Sequence, residues 1–186
     1  MSRGSSLVEL LVATMLGLAV LSVLTLVVGV GGRLLAACGA RGEAEDTAAL
    51  AVEAFTFDAR RAGFDPRAGG VEALAEARPT RLTFLADLDA SGAIDAASEE
   101  TTAYVCASGQ LSRVIGRQSL PLADRTTACA FRYLDRSGAE IAVAAGGLDA
   151  GGRQAVRAVA IDLGLRAGLL HAATARSVVI ALRERS

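Results

Sequence analysis

Residues 10–32 carry no charged side chain, and the residue just before them is a carboxylate, Glu9. As a helix rising 1.5 Å per residue, such a run covers about 35 Å, enough to cross a hydrocarbon core about 30 Å thick. Lipid offers the backbone no hydrogen-bond partners, so a segment this apolar is expected to satisfy its own amides as a helix. A carboxylate beside hydrocarbon costs a few kcal/mol unless it is paired or held near the interface. Glu9 therefore reads as a residue that is used. The short stretch before it carries Arg3, which by the positive-inside tendency places that end in the cytoplasm and everything after residue 32 on the other side.

The stretch reads Arg3-Gly4-Ser5-Ser6-Leu7-Val8-Glu9-Leu10-Leu11-Val12-Ala13. In that register it resembles the N-terminus of type IV pilins and type II secretion pseudopilins. Ser5 and Ser6 stand where that family usually has Phe and Thr. The resemblance implies cleavage by prepilin peptidase between Gly4 and Ser5, N-methylation of Ser5, and a role for Glu9 as the assembly register. It also implies a bacterial inner-membrane, single-pass subunit with its globular domain in the periplasm, later moved into a pilus or pseudopilus. Other pilins or pseudopilins and the inner-membrane assembly platform would be its partners.

Two other readings compete for the segment. A secretory signal peptide has an apolar region of roughly 7–15 residues, shorter than this one. Leu35-Ala36-Ala37-Cys38 resembles a lipoprotein processing box with Cys38 as the acylated residue, but Arg33 interrupts the hydrophobicity that should lead into it.

Removing the leader and the span leaves about 150 residues, ample for one hydrophobic core. The expected organisation is a leader over 1–4, a membrane or filament-core helix over 5–32, its amphipathic continuation over 33–63, and a β-rich domain over 64–186. Residues 33–62 mix apolar positions such as Leu50 and Phe55 with Glu43, Glu45, Asp46, Glu53 and Asp58, the pattern of a helix with one face on a domain. Gly29, Gly31, Gly32, Gly39 and Gly42 each cost up to about 1 kcal/mol relative to Ala, so a break or bend is expected within 28–42. Gly63 is the expected C-cap, with Pro66 soon after, and Arg60 and Arg61 suit the negative end of the helix dipole. The Arg60–Phe64 exit also resembles that of PilW-type minor pilins and J-type pseudopilins.

Beyond it, strands are expected over 81–86, 101–107, 110–115, 128–134, 139–144, 155–165 and 175–183, separated by Gly-containing turns. In the sixth, Val159, Ile161, Leu163 and Leu165 share one face. This order predicts an α+β fold, a long N-terminal helix packed on an antiparallel sheet.

Net charge is −1 and all 19 basic residues are Arg, so no global field argues for nucleic acid. The charge is uneven: residues 43–100 hold 13 acidic and 5 basic side chains, residues 101–186 hold 6 and 11. Complementary faces on neighbouring subunits would use such a split. Cys106 and Cys129 lie in neighbouring strand-like segments of a domain expected in an oxidising compartment. A bridge between them would close a loop of about 24 residues and add roughly 3 kcal/mol.

Asp87-Leu88-Asp89-Ala90-Ser91-Gly92-Ala93-Ile94-Asp95 resembles the start of an EF-hand loop. Asp87, Asp89, Ser91, Ala93 (by its carbonyl) and Asp95 are the candidate ligands, with Gly92 at the turn. Ser98 stands where the closing Glu belongs, and Glu99 or Glu100 would have to substitute. The competing reading is an Asx-rich turn ordered by side-chain-to-backbone bonds. Calcium, if bound, would be structural, and no cofactor is required. His171 is the only His and has no partner motif; neither a nucleophile elbow nor a phosphate loop is present. The chain therefore reads as a non-enzyme. A lipid-anchored binding module and a pilus-tip subunit binding DNA through the Arg-rich half remain alternatives.

Overall fold

The computed structural model describes residues 7–167 and 172–183. Packing divides the chain into two compact units, Met1–Ala40 and Arg41–Ser186. Helix α1 (Leu7–Arg61) is 55 residues long and begins in the first of these. Within residues 7–40, large apolar side chains such as Leu10, Leu16, Leu24 and Val28 are exposed on every side. The few hydroxyls there turn back onto the helix: Thr14 donates to the Leu11 carbonyl, Ser22 to Leu18, and Thr25 to Leu21 and Ser22. That leaves no side-chain O–H without an acceptor in apolar surroundings. This helix is long and apolar enough to cross a membrane. The expected break within 28–42 does not occur; the chain is helical throughout. Each residue added to an existing helix gains a hydrogen bond without a new nucleus. A break would expose two further helix ends with four unpaired groups each, which costs more than a tolerated glycine.

The second unit is an α+β domain. From Arg41 onward α1 turns Ala44, Ala48, Ala51, Phe55, Asp58 and Ala59 inward, a stripe at three- and four-residue spacing. It packs on two antiparallel sheets. One runs β1 (Leu74–Ala77), β2 (Arg81–Leu85), β3 (Thr101–Ala107), β4 (Gln110–Ile115), β5 (Gln118–Ala123) in that spatial order; the other runs β6 (Thr126–Leu134), β7 (Ala158–Ala167), β8 (Ala172–Ala181). Phe55 joins the layers. Its ring lies 5.5 Å from Phe84 and 5.1 Å from Tyr104 on the first sheet, and 5.9 Å from Phe131 on the second. Alternation along β7 buries Val159, Ile161, Leu163 and Leu165 in the same core, as their shared face requires.

Four local expectations are corrected. Residues 139–144 make only an isolated bridge, Leu134 with Glu140. The Asp135 carboxylate accepts from the Ser137 and Ala139 amides and closes a turn instead. Residues 150–155 form a short helix, α2, because Asp149 caps it by accepting from the Gly152 amide, so β7 starts three residues later than expected. Strands β1 and β5 escaped the alternation pattern. The first is only four residues long and bulged; the second contains Pro121, which is tolerated because β5 is an edge. Gly63 ends the helix as expected: its φ is +74° and its amide donates to the Leu85 carbonyl.

Candidate functional site

Gly4 and Ser5, the expected cleavage and methylation positions, lie outside the described residues, as does His171. Glu9 occupies the first turn of α1 and is exposed. A carboxylate there complements the positive end of the helix dipole. Cys38 is an exposed free thiol on the same helix.

The disulfide is formed. Cys106 on β3 and Cys129 on β6 are bonded, with their Cα atoms 5.7 Å apart and a sequence separation of 23. The bond ties the two sheets together, as does the backbone bond from the Phe131 amide on β6 to the Pro79 carbonyl in the β1–β2 turn.

The acidic loop joins β2 to β3. Asp87 is fully buried, and its amide donates to the Phe64 carbonyl at the helix exit. Its carboxylate accepts from the Ser91 and Gly92 amides at 3.0 and 2.9 Å. Gly92 sits at φ +82°, which a side chain would strain. Asp89 also accepts from the Ser91 amide, at 2.8 Å. Hydrogen bonding from Ser91, first its side chain and then its backbone, holds the Asp89 carboxyl below its ordinary range. Glu100 closes the loop just before β3. Its Oε1 accepts from Leu88 and Asp89, and its Oε2 from the Asp95 amide at 2.8 Å.

Carboxylate oxygens of Asp87, Asp89 and Glu100 lie within 4.8 Å of one another. Among the described residues these are the acidic groups that converge as a cation's ligands would. The remaining sequence candidates are placed elsewhere. The Asp95 carboxylate accepts from the Ala97 amide, and the Ser91 hydroxyl donates to the Ala93 carbonyl. Glu99 is exposed, and Glu100 takes the closing place. Both lie in the turn just before β3, where Glu100 is buried and its carboxylate accepts from the Leu88, Asp89 and Asp95 amides. Three close carboxylates repel one another, and a divalent cation or the surrounding amides can offset that repulsion. The amides already do so in part, with six N–H bonds to the three groups.

One charged cluster was not foreseen. Asp58 on α1 is buried and accepts from the Tyr104 hydroxyl at 2.6 Å, from Arg113 Nε at 2.7 Å and from Arg113 Nη2 at 2.7 Å. Burial, and then the neighbouring Asp58 charge, push the Tyr104 hydroxyl well above the usual tyrosine range. Hydrogen bonding to Asp58 raises the Arg113 guanidinium further. The one sequence signal was a carboxylate on the inward face of an amphipathic helix, three residues after Phe55.

A scan against protein-family models finds no match to this chain, and a search of curated proteins finds none either.

Proposed function

We propose that this chain is a minor pilin or minor pseudopilin. It would be a membrane-held structural subunit that primes or caps a type IV pilus or a type II secretion pseudopilus once its leader is removed. The observation that carries this reading is α1: one helix of 55 residues that starts at Glu9's turn, is apolar on every side over its first part, and supplies core residues to an α+β domain over its last.

In this reading prepilin peptidase cuts between Gly4 and Ser5. Ser5 then carries a free amine four residues from Glu9 in sequence and is N-methylated. A charge in apolar surroundings is tolerable when paired, so Glu9 of one subunit neutralises the terminal amine of its neighbour and sets the step between them. Before extraction the exposed leucines and valines of residues 10–32 hold the subunit in the inner membrane by their contacts with lipid. In the filament they contact other helices instead. The domain carrying the Cys106–Cys129 bond is periplasmic in this scheme, where disulfides persist. Other minor and major subunits and the inner-membrane assembly platform are its partners. Any calcium held at Asp87, Asp89 and Glu100 is structural, and no catalytic role is assigned.

Intact mass of the mature protein tests the scheme. The expected chain starts at N-methylated Ser5; a chain starting at an acylated Cys38 overturns it. Glu9→Ala is expected to stop incorporation into filaments while the domain keeps its circular dichroism. Normal incorporation would remove the register role.

A further inference from the structure

We infer that the cleft between α2 and the chain ends of β1 and β8 binds a carboxylate group. Among the described residues Arg153, Arg157 and Arg183 line it, against one carboxylate, Glu72. Those residues leave an excess of two positive charges around a space of about 30 Å³, room for about two water-sized atoms. The two oxygens of one carboxylate fit such a space.

The donors are fixed before any ligand arrives. Arg153 donates through Nη1 to the Leu148 carbonyl and pairs through Nη2 with Glu72 at 3.7 Å. Its Nε is buried without a hydrogen-bond partner, the one such side-chain atom among the described residues. The Arg153 guanidinium therefore acts on a ligand in the cleft by its charge, while the bonding donors come from Arg157 and Arg183. Arg157 is held by its Nη1, which donates to the carbonyls of Gln154 at 2.7 Å and Val156 at 3.0 Å. Its other nitrogens make no bond to a described residue. Arg183 lies over the Phe64 ring at 5.3 Å, which leaves its edge donors available. Glu72 is occupied at its other oxygen by the Gln154 amide. The apolar floor, with Leu182 buried beneath it, lowers the local dielectric and strengthens each charge-assisted bond.

The inference is independent of the Glu9 register. A carboxylate can come from an acidic side chain on a protein partner or from a free acid. The full-length protein in detergent micelles, labelled with nitrogen-15, would be titrated at constant ionic strength. The probes are sodium acetate, a peptide of residues 93–100 of this chain, sodium phosphate, and sodium chloride. The expected result is a saturable shift of the Arg157 Nε–H signal with acetate. Tighter saturation with the peptide assigns the source to a protein partner; equal saturation assigns it to any carboxylic acid. Arg157→Gln and Arg183→Gln should each weaken binding by about threefold to tenfold, the range of one charge-assisted bond at a partly exposed site. Glu72→Gln should tighten it. No shift in either carboxylate arm overturns the proposal, as does an equal response to chloride or tighter saturation by phosphate. So does unchanged affinity in all three variants.

Discussion

Asp58 on α1 and Arg113 on β4 meet in a two-point ion pair, each contact 2.7 Å, across 55 residues of sequence. Among the described residues it is the one ion pair between the helix and the first sheet, and Tyr104 completes it from β3. Removing one partner of a buried pair strands the other, at a cost of about 3–5 kcal/mol. Asp58→Ala is therefore expected to lose stability of that order in urea unfolding followed by circular dichroism. Arg113→Gln should cost less, because its side chain is 21% exposed and water reaches it. Replacing all three, Asp58→Leu with Arg113→Met and Tyr104→Phe, should recover most of the loss.

Phe55 and Phe57 give the opposite contrast on the same helix. Phe55 is fully buried among Phe84, Tyr104 and Phe131, whereas Phe57 is 57% exposed beneath the Arg61 guanidinium. Phe55→Ala should cost about 3–5 kcal/mol, the usual cost of an aromatic cavity. Phe57→Ala should stay within about 1 kcal/mol, since only a solvated cation–π contact is lost.

Reducing the Cys106–Cys129 bond releases a constraint on the unfolded chain rather than a contact in the core. For a loop of this length the loss is about 3 kcal/mol. A Cys106→Ser, Cys129→Ser double variant should show that loss by urea unfolding, and dithiothreitol should then leave its midpoint unmoved.

The residues that announced themselves in the sequence were those whose period matches one element. The span was legible from an unbroken apolar run, and β3 and β4 as strand-like segments separated by the Ser108-Gly109 turn. Elements fixed by a single local bond were not: α2 depends on Asp149 as its cap, and the 135–139 turn on the Asp135 carboxylate. The acidic loop was half legible. Its spacing named Asp87 and Asp89, but the choice of Glu100 over Glu99 follows from which side chain the turn before β3 buries against the loop's amides. Asp58 was hidden for a related reason. Its spacing from Phe55 places it on the inner face, and only the strand register reveals that Arg113 and Tyr104 wait opposite.

Acid should weaken the domain through groups far from the core. Backbone amides of Gly69 and Val71 hold Asp65 below its ordinary carboxyl range. Arg132 does the same for Asp162 through a 2.6 Å bond, and Ser137 for Asp135. An unfolded Asp titrates near about 3.9. A carboxyl lowered by folding contributes stability that is fully present above that value and is lost as pH falls through its folded value. The urea midpoint should therefore be flat above about pH 5 and fall steadily below about pH 4. Asp65→Asn should make that fall shallower.

Glu100 organises the acidic loop whether or not a cation joins it, because its two oxygens accept from three backbone amides. Gly116 shows how closely that loop is held: a Cβ there would lie 2.3 Å from the Ala97 carbonyl oxygen, at a φ of +54°. Gly116→Ala should thus cost more than about 1 kcal/mol, from positive φ and backbone collision together. Glu100→Gln removes one of three converging charges, and its NH2 can no longer accept from the backbone amides that one carboxylate oxygen serves. Ca2+ binding only the folded state raises its stability by mass action, so added calcium should raise the wild-type melting temperature and leave Glu100→Gln nearly unmoved. An unmoved wild type would assign the loop's order to its amides alone. The two variants then separate the loop's backbone fit, which Gly116 reports, from the charge and acceptor bonds of its carboxylate, which Glu100 reports.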